Sequence, residues 1–192
     1  MLEMIKELSS LNGISGREDI VRDYIISRLP ETAEYSVDAM GNLIVFVKGK
    51  KRAKNKVMLA AHMDEVGMIV TYINSDGFIK FANVGGIETA VQLGRRVKVG
   101  EKELTGVIGV TPIHLRRADD ELKYPKKADE LYIDVGAESD KELEGLVSPG
   151  DKVVFDSETV EFGSMLKGKA LDDRAGCAVL INLIKSECEY SF

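Results

Sequence analysis

The chain contains only two cysteines, Cys177 and Cys188, among its 192 residues. Two are too few for a disulfide framework, so a reduced, cytoplasmic protein is expected. No apolar run approaches the about 20 residues that a membrane-spanning helix needs. The opening Met-Leu-Glu-Met-Ile-Lys-Glu has neither a basic n-region nor an apolar h-region, so no secretory signal peptide is expected. Positive charge is not in excess. Lys and Arg total 26 against 32 Asp and Glu, a net charge of -6, which argues against a nucleic-acid or anionic-membrane surface. There is no internal repeat and no low-complexity segment. Histidine is scarce too, with only His62 and His114 to consider as imidazole ligands.

What is present fits a soluble chain with a core: 44% hydrophobic and 30% charged residues. The length suits one ordinary domain or two small ones. Leu2, Ile5, Leu8 and Leu11 recur at helical spacing and predict a helix over 2–10. Ser15 followed by Glu18 has the pattern of a capping box. Ile20, Val21, Tyr24, Ile25 and Leu29 then form the stripe of a second helix, ended by Pro30. Tyr35–Met40 and Leu43–Val47 read as strands joined at Gly41-Asn42. Six basic residues between Lys48 and Lys56 read as a solvated turn, because no aromatic residue interleaves them.

From about Met68 to Gly163 the texture is different. Short strands separated by turn residues dominate, with a short helix expected at Asp140–Glu144. This predicts a small all-β unit, barrel or sandwich, inserted at 67–163 into an α/β unit built from 1–66 and 164–192. Ala175–Lys185 reads as a buried helix on which Cys177 packs, not as the seat of a nucleophile.

The chemistry concentrates in two stretches. Val57–Ala61 is a continuous small and apolar run, as expected of a strand buried on both faces. It ends on His62 and Asp64, which point the same way because strand residues two apart share a face. That pairing suits a ligating imidazole with the carboxylate that fixes its tautomer. The second stretch holds Asp172 and Asp173 just ahead of a helix. One reading has them cap the helix and complement its dipole, with Arg174 as counter-ion. The other has Asp172 bridge two metal ions roughly 3.5–4 Å apart. No spacing among the acidic residues singles out a glycosidase pair.

Together, Ala-Ala-His62-Met-Asp64-Glu-Val-Gly and Lys-Ala-Leu-Asp172-Asp173-Arg174-Ala-Gly resemble the first two metal-site motifs of the M42 metallo-aminopeptidases. That family includes tetrahedral (TET) and glutamyl aminopeptidases and members labelled endoglucanase. The likeness extends to Ser15-Gly16-x-Glu18, Asp38-x-x-Gly41-Asn42, Gly106-Val-Ile-Gly109 and Pro149-Gly-Asp151. It implies a phosphorylase/hydrolase-like α/β domain interrupted by a PDZ-like or barrel dimerisation domain. It also implies two zinc or cobalt ions, with His62 binding one, Asp172 bridging both and Asp64 orienting His62. The implied substrates are peptides with a free N-terminus, and the implied assembly is a homodimer building to a dodecamer.

The family pattern also needs a Glu-Glu pair, a further acidic ligand and a late His, and the chain lacks all of these. Two of five ligands and no general base are therefore expected here, with weak or partial metal binding. His114 is expected to be structural or on the surface. The competing expectation is a non-catalytic assembly or peptide-binding module.

Overall fold

The computed structural model describes residues 1–52, 54–111 and 127–192. They divide into two compact units, one of residues 1–65 with 158–192 and one of residues 66–157.

In the first unit, α1 (Leu2–Ser10) and α2 (Asp19–Ser27) form where the apolar periodicity places them. Leu8, Val21 and Ile25 are buried against Cys177, Ala178 and Ile181 of α4 (Leu171–Ile184). The capping box does not form. The helix begins at Asp19, with Glu18 as its N-cap and no side-chain cap bond. Ser15 lies too far back along the chain to cap it, and its hydroxyl donates instead to Asp64. Glu18 turns back to accept from the Gly16 N–H at 2.7 Å.

The hairpin of β1 (Glu34–Val37) and β2 (Leu43–Phe46) is antiparallel, with Val37 opposite Leu43. Its first strand stops short of the expected Met40 because Asp38 folds the turn. The Asp38 carboxylate accepts from Met40 N–H, Asn42 N–H and the Asn42 side-chain amide, all at 2.8–2.9 Å. Lys50 and Lys51 of the basic stretch are exposed and paired with Glu187 and Glu189.

The apolar run Val57–Ala61 is not a strand, which corrects the sequence expectation. Met58 is 88% exposed, and Val57 and Leu59 are also exposed. A strand needs a neighbour to pair its N–H and C=O groups. Among the described residues no strand pairs with this run, so its apolar character alone does not make it one.

The second unit is a closed six-stranded barrel. Its strands are β3 (Gly67–Ile73), β4 (Ile79–Val84), β5 (Arg96–Val99), β6 (Leu104–Val110), β7 (Leu131–Asp134) and β8 (Lys152–Phe155). Around the barrel the order is β3-β4-β7-β6-β5-β8. Closure leaves no unpaired edge, which suits a unit of short strands. Alternate residues point inward, so Met68, Val70, Ile79, Phe81, Val97, Val99, Ile108, Ile133 and Val153 fill the interior. The short helix expected at Asp140–Glu144 is a 3-10 turn over Asp140–Leu143, and a one-turn helix, α3 (Thr89–Gln92), links β4 to β5.

The interior leaves no room at Gly106, where a Cβ would lie 2.6 Å from Ile133 Cγ2. Gly106→Ala is expected to destabilise the barrel by about 1–3 kcal/mol through overpacking, with Ile133 forced aside. Urea unfolding checks this. A midpoint equal to that of the unsubstituted chain would show that the interior yields freely.

Two further strands, β9 (Val160–Phe162) and β10 (Met165–Lys167), pair as a hairpin in the first unit ahead of α4. No described helix is long and apolar enough to cross a membrane.

Candidate metal centre

His62 stands between two carboxylates. Its Nδ1 lies 3.1 Å from Asp64 Oδ1, and its Nε2 lies 3.1 Å from Asp172 Oδ1. The other Asp64 oxygen accepts the Ser15 hydroxyl. The result is a line from hydroxyl to carboxylate to imidazole to carboxylate. Its far end, Asp172, has a side chain that is 96% exposed.

Asp172 and Asp173 take separate roles although they are adjacent. Neither has helical backbone angles, so the regular turns of α4 begin after them, and the peptide bond between them is cis. Asp173 Oδ1 accepts from the Gly176 N–H at 3.0 Å, which is the geometry of an N-cap. The capping reading therefore holds for Asp173, and Asp172 is left turned to His62. Gly176 is required by this cap, because a Cβ there would lie 2.2 Å from Asp173 Oδ1.

Arg174 is not the ordinary counter-ion of the capping reading. It is fully buried. Its Nε donates to Met63 O at 2.6 Å and its Nη1 to Leu8 O at 2.7 Å, with longer bonds to the Leu11 and Gly13 carbonyls. Burial holds its pKa below the usual arginine value. Cys177 donates to His62 O at 3.3 Å, and burial pushes its thiol up to about 11, which suits a packed thiol and not a nucleophile.

Beneath lies a buried ion pair, Lys169 with Glu65, whose Oε1 also accepts from Gly13 N–H at 3.1 Å. Sequence reasoning missed Arg174, Glu65 and Lys169 as buried groups. Their types are usually exposed, and only their place beside the two motifs hinted otherwise. His114 lies outside the described residues.

The His62 pKa is raised. Burial alone would lower it, but the Asp172 hydrogen bond and the Asp64 charge outweigh burial. Protonated His62 thus contributes stability that is fully present below the unfolded-state value and lost as pH rises through the folded one. A divalent cation needs the neutral ring, so cation affinity should rise with pH over that same interval. NMR titration of the metal-free protein should place the His62 midpoint above 6.5 and show it fall in Asp172→Asn. A midpoint unmoved by that substitution would remove Asp172 as the cause.

The donors suit a shared cation. Two ligands each about 2.0–2.2 Å from one zinc ion at a tetrahedral angle stand roughly 3.3–3.6 Å apart, a little wider than this pair. His62 Nε2 and Asp172 Oδ1 are 3.1 Å apart, and Asp64 fixes the far ring nitrogen. They make up only part of a shell. Among the described residues, no group of three or more His, Cys, Asp or Glu side chains is placed to hold a metal ion.

The chain resembles known proteins over most of its length. The profile of the family described as M42 glutamyl aminopeptidase matches residues 41–190. The lysyl aminopeptidase of Pyrococcus furiosus is 36% identical over 146 residues, 74% of this chain and 41% of that protein. The solved aminopeptidase APDkam598 of the archaeon Desulfurococcus kamchatkensis superposes with a TM-score of 0.86 at 36% identity, over 98% of this chain and 54% of that one. The TET1 peptidase of Pyrococcus horikoshii, described as assembling into a tetrahedron or a large octahedral shell, gives 0.83 at 38% identity, over 100% and 60%. The chain spans about half the length of curated relatives it matches. A profile match over most of the chain, with structural agreement over nearly all of it, places this protein in the M42 family of aminopeptidases.

Proposed function

We propose that the chain forms part of a dinuclear-metal aminopeptidase that removes residues from peptides with a free N-terminus. The observation that carries this reading is the line Asp64–His62–Asp172, which brings one imidazole nitrogen and one carboxylate oxygen within 3.1 Å of each other. His62 would hold one zinc or cobalt ion and Asp172 would bridge two. When bound, such ions polarise the scissile carbonyl and lower the pKa of an attacking water. With an ion bound, Asp64, held in turn by Ser15, would accept from His62 Nδ1–H and leave the Nε2 lone pair for the ion. The protein is proposed to be cytoplasmic. It is also proposed to self-associate through its barrel, and the assembly of the TET1 peptidase into a tetrahedron or a large octahedral shell supports self-association as such. Light scattering that finds a strict monomer at high concentration would contradict the assembly proposal.

A second reading, a non-catalytic assembly or peptide-binding module, draws support from the small number of donors among the described residues. Metal titration separates the two. Weak zinc or cobalt binding should be lost in both His62→Ala and Asp172→Ala. Stoichiometric zinc surviving dialysis against a mild chelator would show that other residues complete the shell. No binding at all would favour the non-catalytic module.

A further inference from the structure

We infer that Arg174 and Cys177 are positioning residues for the candidate metal centre: from α4 they hold the two successive carbonyls that carry His62, tying it to Asp172. The inference rests on the metal-site reading above and goes beyond its ligands.

Residues three apart on a helix share a face. Arg174 and Cys177 are so placed, and their donors meet Met63 O and His62 O respectively. Asp172 lies two residues before Arg174, and its carboxylate faces His62 Nε2 at 3.1 Å. Asp172 is almost fully exposed, so packing around its own side chain does not set that distance. It is set by where α4 lies against the 62–63 backbone, and the two buried donors fix that relation. Arg174 also binds the Leu8 carbonyl at the end of α1, adding a third segment to the clamp. The loop carrying Ser15 follows closely. A guanidinium is costly to bury, and simple packing of α4 would not need one. A fork of donors with fixed geometry does what packing cannot, because it sets position and not only proximity. A ligand pair tolerates an error of only about 0.5 Å.

The test uses the full chain, labelled with nitrogen-15, and reads the ring nitrogens of His62 at one pH without metal. Co2+ is then titrated in, and saturable broadening of the same signals gives its affinity. His62→Ala assigns those signals, since the chain has only two histidines. Thermal melts show which variants fold. Cys177→Ala removes the donor, Cys177→Ser restores one, and Arg174→Lys keeps charge but loses the fork. In Cys177→Ala the ring signals should move and Co2+ affinity should fall about 10–100-fold. Cys177→Ser should recover most of the loss, and Arg174→Lys, where it folds, should behave like the alanine variant.

A folded Cys177→Ala protein with unchanged ring signals and affinity would overturn the inference. So would equal losses in the serine and alanine variants. If the unsubstituted chain shows no saturable effect of Co2+ at His62, the metal reading itself falls. The metal-free ring signals then decide alone, unmoved signals in Cys177→Ala counting against the positioning role.

Discussion

Arg174→Met should cost the helical unit about 3–5 kcal/mol of stability at room temperature. Methionine nearly fills the space of the arginine stem, so the loss is not mainly one of packing. It arises at the carbonyls. Met63 O and Leu8 O each lose a short, charge-assisted bond, and the Leu11 and Gly13 oxygens lose longer ones. Leu8 lies in the last turn of α1 and Leu11 is its C-cap, a position where carbonyls favour a cation. Leu8 O keeps one bond from the Leu11 N–H, Leu11 O one from Lys169 and Gly13 O one from the Glu65 N–H, so Met63 O bears most of the loss. Exchanging a buried charge for an apolar side chain can be harmless when its partners are exchanged as well. Here the partners are backbone and remain. A loss of this size consumes much of a typical folding free energy. Hydrogen exchange is the measurement of choice because it resolves the two units. Amides of α1 and α4 should lose protection while those of Ile108 and Ile133 in the barrel keep theirs. Protection in α4 equal to that of the unsubstituted chain would show that water satisfies those carbonyls.

With zinc or cobalt supplied, the 192-residue chain should show no detectable turnover of Leu, Glu or Lys aminoacyl chromogenic substrates. Hydrolysis of a peptide bond needs a group that takes a proton from the attacking water and passes it to the leaving amine. A positioned base is worth roughly 10²–10⁴-fold in rate. The carboxylates beside His62 are already engaged. Asp64 holds His62 with one oxygen and Ser15 with the other, and Asp173 is bound to the Gly176 N–H. Asp172 is the proposed bridge. Two donors also hold metal weakly, which compounds the loss. Turnover that disappears in His62→Ala would mean that another residue or another subunit supplies the base.

Much of this was legible from local pattern. The 3.6-residue period of α1 and α2 and the alternation in the barrel are local properties, and each produced its element where the pattern lay. Asp38-x-x-Gly41-Asn42 likewise folds its own turn. The run Val57–Ala61 misled because a strand depends on a partner that local sequence does not display. Ser15 and Glu18 misled because their spacing matches a capping box, while the true partner of Ser15 is Asp64, 49 positions along the chain.

By itself the sequence determined the order of elements, the change to all-β texture and the two motifs holding His62, Asp64 and Asp172. These follow from periodicity and residue chemistry, which act over a few residues. Only the tertiary structure decided that Asp172 turns to His62 while Asp173 caps α4. It also decided that Arg174 lies buried across the carbonyls of three segments. An imidazole and a carboxylate 110 positions apart meet through the packing of α4 against the first helices, and that distance is fixed by contacts no single stretch contains.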